Sequence, residues 1–288
     1  MRTVFLLVVA AIWGWTFTLV KQGMGEVGPF WFLSLRFSLA TGLAALLLAG
    51  RLGGRRAEDW ARGGVLGLAL FGGYFFQTWG LVYTTAQKSG LITGLSVVLV
   101  PVLARLVGQA TGRRMWLATL LAAAGLALLV MGGREPLGPT GLGDLLTLAC
   151  AVCFAAHIVL LDRYTKAGDF LTLLPAQLAV VAVLSLIGTF LWEQPDLALS
   201  AATWRAIVIT GALATALAFF LLSWIQRRST AAYTAVVLSA EPAFAVLLGW
   251  ITLGEALRGA QILGAVLILA GIVLPQLRRR RGQLAGQP

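Results

Sequence analysis

Few side chains capable of chemistry interrupt the long apolar runs of this 288-residue chain. Glu241 stands ten residues into the apolar run 231–253, beside Pro242. A charged group at the centre of a membrane-spanning helix costs roughly 2.5–3.5 kcal/mol on insertion scales, so it requires a partner, water or a function. Glu241 therefore either binds a proton or a cationic part of a substrate, or packs as a neutral acid bonded to Ser239 or the nearby backbone. His157, the single histidine, lies near the end of the run 143–161. It could relay protons, bond a substrate or tie two helices together. Gln77 and Gln177 could bond cargo or neighbouring helices. Arg36 and Arg105 each fall within reach of a run's end and are expected to extend outward as anchors.

The same inventory excludes several classes. One acid and one histidine do not make a catalytic constellation, and no HExxH, paired-Asp or GxSxG pattern occurs, so an intramembrane enzyme is disfavoured. A lone imidazole without a cluster of carboxylates does not hold a metal, and no cofactor is expected. Cys150 and Cys153, the only cysteines, share one apolar run and read as small hydrophobes. The net charge of +11 comes from short basic clusters, without a basic face interleaved with stacking aromatics, so no nucleic acid is implied.

The elements that must position these residues are membrane spans. Hydrophobic residues make up 59% of the chain and charged ones 11%, far from the roughly 25% charge of soluble domains. A span needs about 20 apolar residues. Ten runs qualify: 3–22, 29–49, 62–82, 87–108, 115–132, 143–161, 171–191, 203–225, 231–253 and 258–277. The short connections leave no room for a soluble catalytic domain. The first run could pass for a signal peptide, but it continues through Trp13, Trp15 and Phe17 to Lys21 and reads as an uncleaved span.

Basic residues favour cytoplasmic loops. With a cytoplasmic amino terminus, fifteen lie inside, among them Arg51, Arg55, Arg56, Arg62, Arg113, Arg114 and Arg278 to Arg281, against Lys21, Lys88, Arg134, Arg205 and Arg258 outside. Both termini are thus expected in the cytoplasm. Trp31, Trp60 and Trp204 stand at span ends, as in an interfacial belt.

The two halves of the chain resemble each other. Thr84-Thr85-Ala86 parallels Ser229-Thr230-Ala231, Trp79 parallels Trp224, Arg113 parallels Arg258, and Ala124-Gly125 parallels Ala270-Gly271. With the spacing changed by four residues, Trp13 falls opposite Phe154 and Arg36 opposite Gln177. Five spans per half is an odd number, so the second half must enter the membrane with opposite sense. The expected fold is all-α integral membrane, with ten transmembrane helices as two inverted five-helix repeats over residues 1–136 and 137–288. By the same correspondence Lys88, at the outer mouth of the fourth span, matches Tyr233, at the inner mouth of the ninth. The two read either as paired gates or as solvated loop ends.

An ordered set of motifs resembles the drug/metabolite transporter superfamily, and within it the EamA-like ten-helix transporters. The motifs are Trp13-Gly14, Leu35-Arg36-Phe37 with Ala40, Tyr83-Thr84-Thr85-Ala86, and Leu91-Ile92-Thr93-Gly94-Leu95 with Pro101. In the second half they are Glu241-Pro242-Ala243-Phe244, Leu253-Gly254-Glu255, Gly264 and Ala270-Gly271. One pattern departs: Val107-Gly108-Gln109-Ala110 stands where relatives often carry Leu-Gly-Glu. The resemblance implies a secondary transporter or exporter with a central cavity lined by spans one, three, four, six, eight and nine. Family cargoes range over amino acids, sugars, nucleotide derivatives and drugs.

The residues expected at that cavity are Trp13, Phe17, Tyr74, Gln77, Trp79, Thr93, Phe154, His157, Phe220, Trp224 and Glu241, with Lys88 and Tyr233 as gates. An aromatic, sparsely charged cavity suits a neutral, zwitterionic or hydrophobic metabolite, whereas a multiply charged phosphate would need an Arg/Lys cluster. The expected partners are a small-molecule substrate, membrane lipid and, optionally, a coupled proton. The expected setting is the inner membrane, as a monomer or weak homodimer. A passive channel and a cargo-free assembly subunit are the competing readings.

Overall fold

A computed structural model describes residues 2–51, 56–132, 141–253 and 258–277. The boundary between the expected halves at residue 136, the turn residues Pro136 and Pro139, Arg134, Glu255, and the basic stretch Arg278 to Arg281 fall outside the described residues. So do the side chains of Phe17 and Lys21.

Among the described residues every long regular element is helical. The helices are α1 (Arg2–Gly23), α2 (Pro29–Leu48), α3 (Ala57–Tyr83), α4 (Ala86–Gly94), α5 (Ser96–Leu106), α6 (Arg113–Met131), α7 (Leu142–Ala167) and α8 (Phe170–Trp192). They continue as α9 (Ala201–Ile209), a π-helical segment (Thr210–Leu217), α10 (Ala218–Gln226), α11 (Ala231–Leu238), α12 (Glu241–Leu253) and α13 (Gly259–Val273). Eight stretches among the described residues are long and apolar enough to cross a membrane, and two shorter apolar ones, Arg2–Thr16 and Gly259–Val273, flank them. Leu46, Leu47, Leu106, Met131, Phe190 and Leu191 turn outward, as suits a surface solvated by hydrocarbon. The protein is thus an all-α, multi-pass membrane protein.

Local chemistry sets the helix starts. Pro29 opens α2, where a missing N–H costs nothing. The Glu193 carboxylate caps the same end, accepting from the backbone N–H of Phe30 at 3.0 Å and of Trp31 at 2.7 Å. The threonines matched between the halves prove to be N-caps: Thr85 accepts from Lys88 N at 3.2 Å and Thr230 from Tyr233 N at 3.3 Å.

Small residues set the packing. A Cβ on Gly63 or Gly67 of α3 would fall within 2.5 Å of Ala176 or Val180 of α8. A Cβ on Gly125 of α6 would sit 2.5 Å from the carbonyl oxygen of Gly264 on α13, and the reverse holds at the same distance. These contacts fit helices held together by close approach rather than by exclusion of water.

Two of the expected runs are not single helices. The run 87–108 breaks between Gly94 and Ser96, and the run 231–253 breaks between Leu238 and Glu241. At the second, Pro242 has no N–H to offer the Leu238 carbonyl and its ring crowds that oxygen. At the first, Gly94 lowers helix propensity, and Leu126 packs where its Cβ would be. The spacing that sets Trp79 opposite Trp224 also sets Leu95 opposite Ala240, so the breaks fall at matching positions.

Candidate functional site

The two breaks meet around one cavity, and the π-helical segment bonds two of its lining residues, Trp13 and Arg36, from behind. The cavity offers about 100 Å³ to the centres of water molecules, several times the roughly 10–15 Å³ that one water requires. Trp13, Tyr74, Gln77, Thr93, Phe154, His157 and Glu241 line it, all of them expected from the sequence. Ser96 and Glu241, the first residues of the helices beyond the breaks, both face it. On α1 the lining continues from Trp13 through Thr16 to Val20, the i, i+3, i+7 face of a helix.

Aromatic rings form much of the wall. Tyr74 meets Phe154 edge-on at 5.2 Å and Phe37 at 4.9 Å between centroids, and Trp13 tilts against Phe219 at 5.6 Å. The Phe154 ring lies where a Cβ on Gly73 would be, so this glycine admits the ring against α3. Gly14 does the same for the chain: a Cβ there would lie 2.5 Å from the carbonyl oxygen of Glu241, so α1 packs directly on the start of α12.

Three expected residues lie elsewhere. On α3 the cavity face carries Tyr74 and Gln77, three apart, while Trp79 turns to Phe30 and Phe75. On α10 the cavity face carries Phe219 and Leu222, so Phe220 is directed to Phe170 and Trp224 to Phe5. The error was one of helical phase: a run of consecutive aromatics does not reveal which of them points inward, and the π-helical segment just before α10 shifts the register further.

Arg36 corrects the sequence reading most sharply. It is no anchor at a membrane face; it is 3% exposed and lines the cavity, which adds the second span to the expected set. Its Nε–H donates to Thr215 Oγ1 at 2.8 Å, and Nη2 donates to Tyr74 Oη at 3.4 Å. The guanidinium carbon sits 4.8 Å from the Tyr74 ring centroid. The π-helical segment shapes this corner. Thr215 Oγ1 donates five residues back to Thr210 O at 2.9 Å, and the Ala214 carbonyl accepts the Trp13 indole N–H at 2.8 Å. The family-like motif Leu35-Arg36-Phe37 was the available signal, but proximity to a run's end argued for snorkelling. Arg105, in contrast, is exposed.

The Glu241 carboxyl group makes no hydrogen bond or ion pair among the described residues, so the expected bond to Ser239 is absent there; the Ser239 hydroxyl donates instead to Val236 O at 2.7 Å. His157 Nε2 lies 2.7 Å from Gln177 Oε1, a hydrogen bond in which the amide oxygen accepts when the imidazole carries its proton on Nε2. Gln177 Nε2 is buried without a partner. Thr93 Oγ1 approaches Cys150 Sγ at 3.8 Å. Cys150 is buried, Cys153 is half-buried, and both thiols are free.

Lys88 and Tyr233 each hold a partner on another helix. Lys88 Nζ pairs with Asp144 Oδ2 of α7 at 2.6 Å, and Asp144 also accepts from Thr84 Oγ1 and Gly141 N, each at 3.0 Å. Tyr233 Oη lies 2.8 Å from Thr3 Oγ1 of α1. The spacing that sets Trp13 opposite Phe154 also sets Thr3 opposite Asp144, so the two contacts occupy matching positions. Beside Tyr233, a network unforeseen from the sequence links α7, α10 and α11. Asp162 accepts from Lys166 Nζ at 2.6 Å and Gln226 Nε2 at 2.9 Å, and Gln226 Oε1 accepts from Thr234 at 2.8 Å. At the opposite end, Glu26 in the loop after α1 accepts from Thr203 Oγ1, Ser200 Oγ and Ser200 N. Those bonds, the Thr203 one foremost, hold its pKa below the ordinary carboxylate value.

Comparison with known proteins gives a consistent result. The model of the EamA-like transporter family matches residues 1–131 and 141–275. An uncharacterized transporter of Archaeoglobus fulgidus is 34% identical over 280 residues, covering 95% of this chain and 85% of that protein. The uncharacterized transporter YyaM of Bacillus subtilis is 27% identical over 276 residues, covering 90% and 88%. A protein of known crystal structure shares the fold with a TM-score of 0.82 at 22% identity, over 97% of this chain and 98% of the other.

Proposed function

This chain belongs to the EamA-like transporter family, and from that membership we propose a secondary transporter that moves a small neutral, zwitterionic or hydrophobic metabolite by alternating access. The observation that carries the reading is the cavity at two matched helix breaks, with the Lys88–Asp144 contact toward one end and the Tyr233–Thr3 contact toward the other. Broken helices at a shared central cavity are the usual setting of a transporter's substrate site.

In this reading the chain crosses the inner membrane ten times as two inverted five-helix repeats, 1–136 and 137–288, with both termini cytoplasmic. The matched breaks, the matched end contacts and the basic loops support it. Lys88 and Tyr233 are gates that open in alternation. Glu241 holds a proton or a cationic group of the cargo. In the same reading the protein works as a monomer or a weak homodimer.

The test is reconstitution. Amino acids, sugars and amphipathic drugs are screened for thermal stabilisation of the purified protein, and hits are assayed for counterflow in proteoliposomes. Saturable counterflow is expected. Flux that stays linear with concentration would replace the transporter with a channel. A Glu241→Gln variant with unchanged turnover and pH profile would remove Glu241 from the mechanism.

A further inference from the structure

We infer that Arg36 forms a carboxylate-binding subsite, so that the cargo of the proposed transporter carries a single carboxylate seated against Arg36 on one wall of the cavity; the inference rests on the transport reading only for the word cargo.

The argument begins with an unbalanced charge. A guanidinium at this depth stays charged and is expensive to bury without an anion. Arg36 is buried, yet its protein partners are two hydroxyls and the faces of Tyr74 and Phe37. Among the described residues no carboxylate lies within ion-pairing distance of it. Glu241, the one acid on the same cavity, does not pair with it. Among the described residues the cavity therefore presents a cation and an acid that make no direct ion pair.

The geometry favours a planar, singly charged anion. Arginine has five N–H donors, of which Thr215 takes one and Tyr74 a second at the long distance of 3.4 Å. Enough remain for a two-pronged carboxylate, the fork that guanidinium matches best. The Thr215 bond and the Tyr74 ring fix the plane of the guanidinium in advance, so little ordering is left for the ligand. A phosphate is disfavoured because, among the described residues, Arg36 is the one Lys or Arg that lines the cavity. The aromatic wall of Trp13, Tyr74 and Phe154 takes the apolar remainder, and an ammonium group, where present, finds Glu241.

The test uses matched sets of probes on small aliphatic, branched aliphatic and aromatic side chains. Each set holds the amino acid, its methyl ester, its decarboxylated amine and its deaminated acid. Thermal stabilisation of the purified full chain reads binding. At least one carboxylate-bearing member is expected to stabilise, and its methyl ester and amine to bind about tenfold or more weakly, the scale of a lost charge-assisted pair. Arg36→Gln should remove that preference and Arg36→Lys should keep part of it. The unliganded melting temperature reports whether each variant folds, and the ester comparison needs no variant at all. The proposal is overturned if no carboxylate member stabilises the protein, if esters or amines bind as well as the acids, or if folded Arg36→Gln retains the preference. Counterflow separates the two readings. A carboxylate bound through Arg36 but not transported leaves the subsite and sinks transport. A carboxylate-free probe moved equally well by the protein and by Arg36→Gln leaves transport and sinks the subsite.

Discussion

Replacing Lys88 with methionine should open one end of the cavity. Lys88 and Asp144 are 12% and 6% exposed along their side chains, so their 2.6 Å contact is shielded from water and salt. Lys88 lies on the wall of an outer hollow with Thr84, Thr85 and Gly141, whereas Gly90, two residues further along α4, already lines the central cavity. Lys88 and Asp144 both line that hollow, on the side of α4 that precedes the cavity-lining Gly90. Methionine keeps most of the stem's volume but removes the charge-assisted hydrogen bond, worth about 1.5–3 kcal/mol. Asp144 retains its bonds from Thr84 and Gly141, so the carboxylate is not abandoned and the variant should fold. If the pair is broken only in the open state, the closed-to-open equilibrium shifts by about 10- to 150-fold. Gly90→Cys reports this, since nothing lies within 4 Å of a Cβ placed there. In a background with Cys150→Ala and Cys153→Ala, a membrane-impermeant maleimide should label Gly90→Cys faster by that factor when Lys88→Met is added. The charge-swapped pair Lys88→Asp with Asp144→Lys should restore slow labelling. An unchanged rate in Lys88→Met, or a swapped pair as reactive as the single variant, would refute the gate.

Trp13→Phe keeps the ring but leaves Ala214 O without its indole donor; stability should fall by about 0.5–1.5 kcal/mol, read by thermal unfolding in detergent, and an unchanged melting temperature would mean the π-helical carbonyl finds another donor. Gly14→Leu drives a side chain into the Glu241 carbonyl oxygen and the Ala245 backbone, where neither can retreat. The expected result is loss of folded protein by size-exclusion chromatography, with Gly42→Leu, which meets nothing, as the benign control. Glu26→Gln should lower the melting temperature at neutral pH. Because the folded protein holds the Glu26 pKa below its ordinary value, its contribution is full above about pH 4.3 and fades as pH falls through the lowered value. The difference between the two proteins should therefore shrink in acid, and a gap that widens instead would contradict the assignment.

Much of this molecule was legible in its residues. Apolar runs of about 20 residues with most of the charge between them call for membrane helices, because lipid leaves only a helix or a closed barrel to satisfy the backbone and a barrel strand needs about half that length. The threonines at 85 and 230, noticed as a repeat, are the caps that start α4 and α11. Glu241 announced itself by its depth alone, since burial of an acid in hydrocarbon requires a reason wherever the helix sits. Of the seven expected residues that line the cavity, Gln77, Thr93, His157 and Glu241 do so for a related cause: polar groups inside a span have few favourable places other than the interior.

Tertiary structure decided the rest, and the reason is rotation about helix axes. Whether Phe219 or Phe220 faces inward depends on a 100° step, and the π-helical segment at Thr210–Leu217 resets that angle in a way no apolar pattern records. Arg36 was equally undetermined, because a long side chain within reach of a membrane face can extend to water or turn inward. Thr215 and Tyr74, contributed by other helices and remote in sequence, turn it inward. The sequence alone determined that one acid, Glu241, lies deep in a spanning bundle, while it left Arg36 reading as an outward anchor. That Arg36 shares the cavity with Glu241 followed only from how the helices pack.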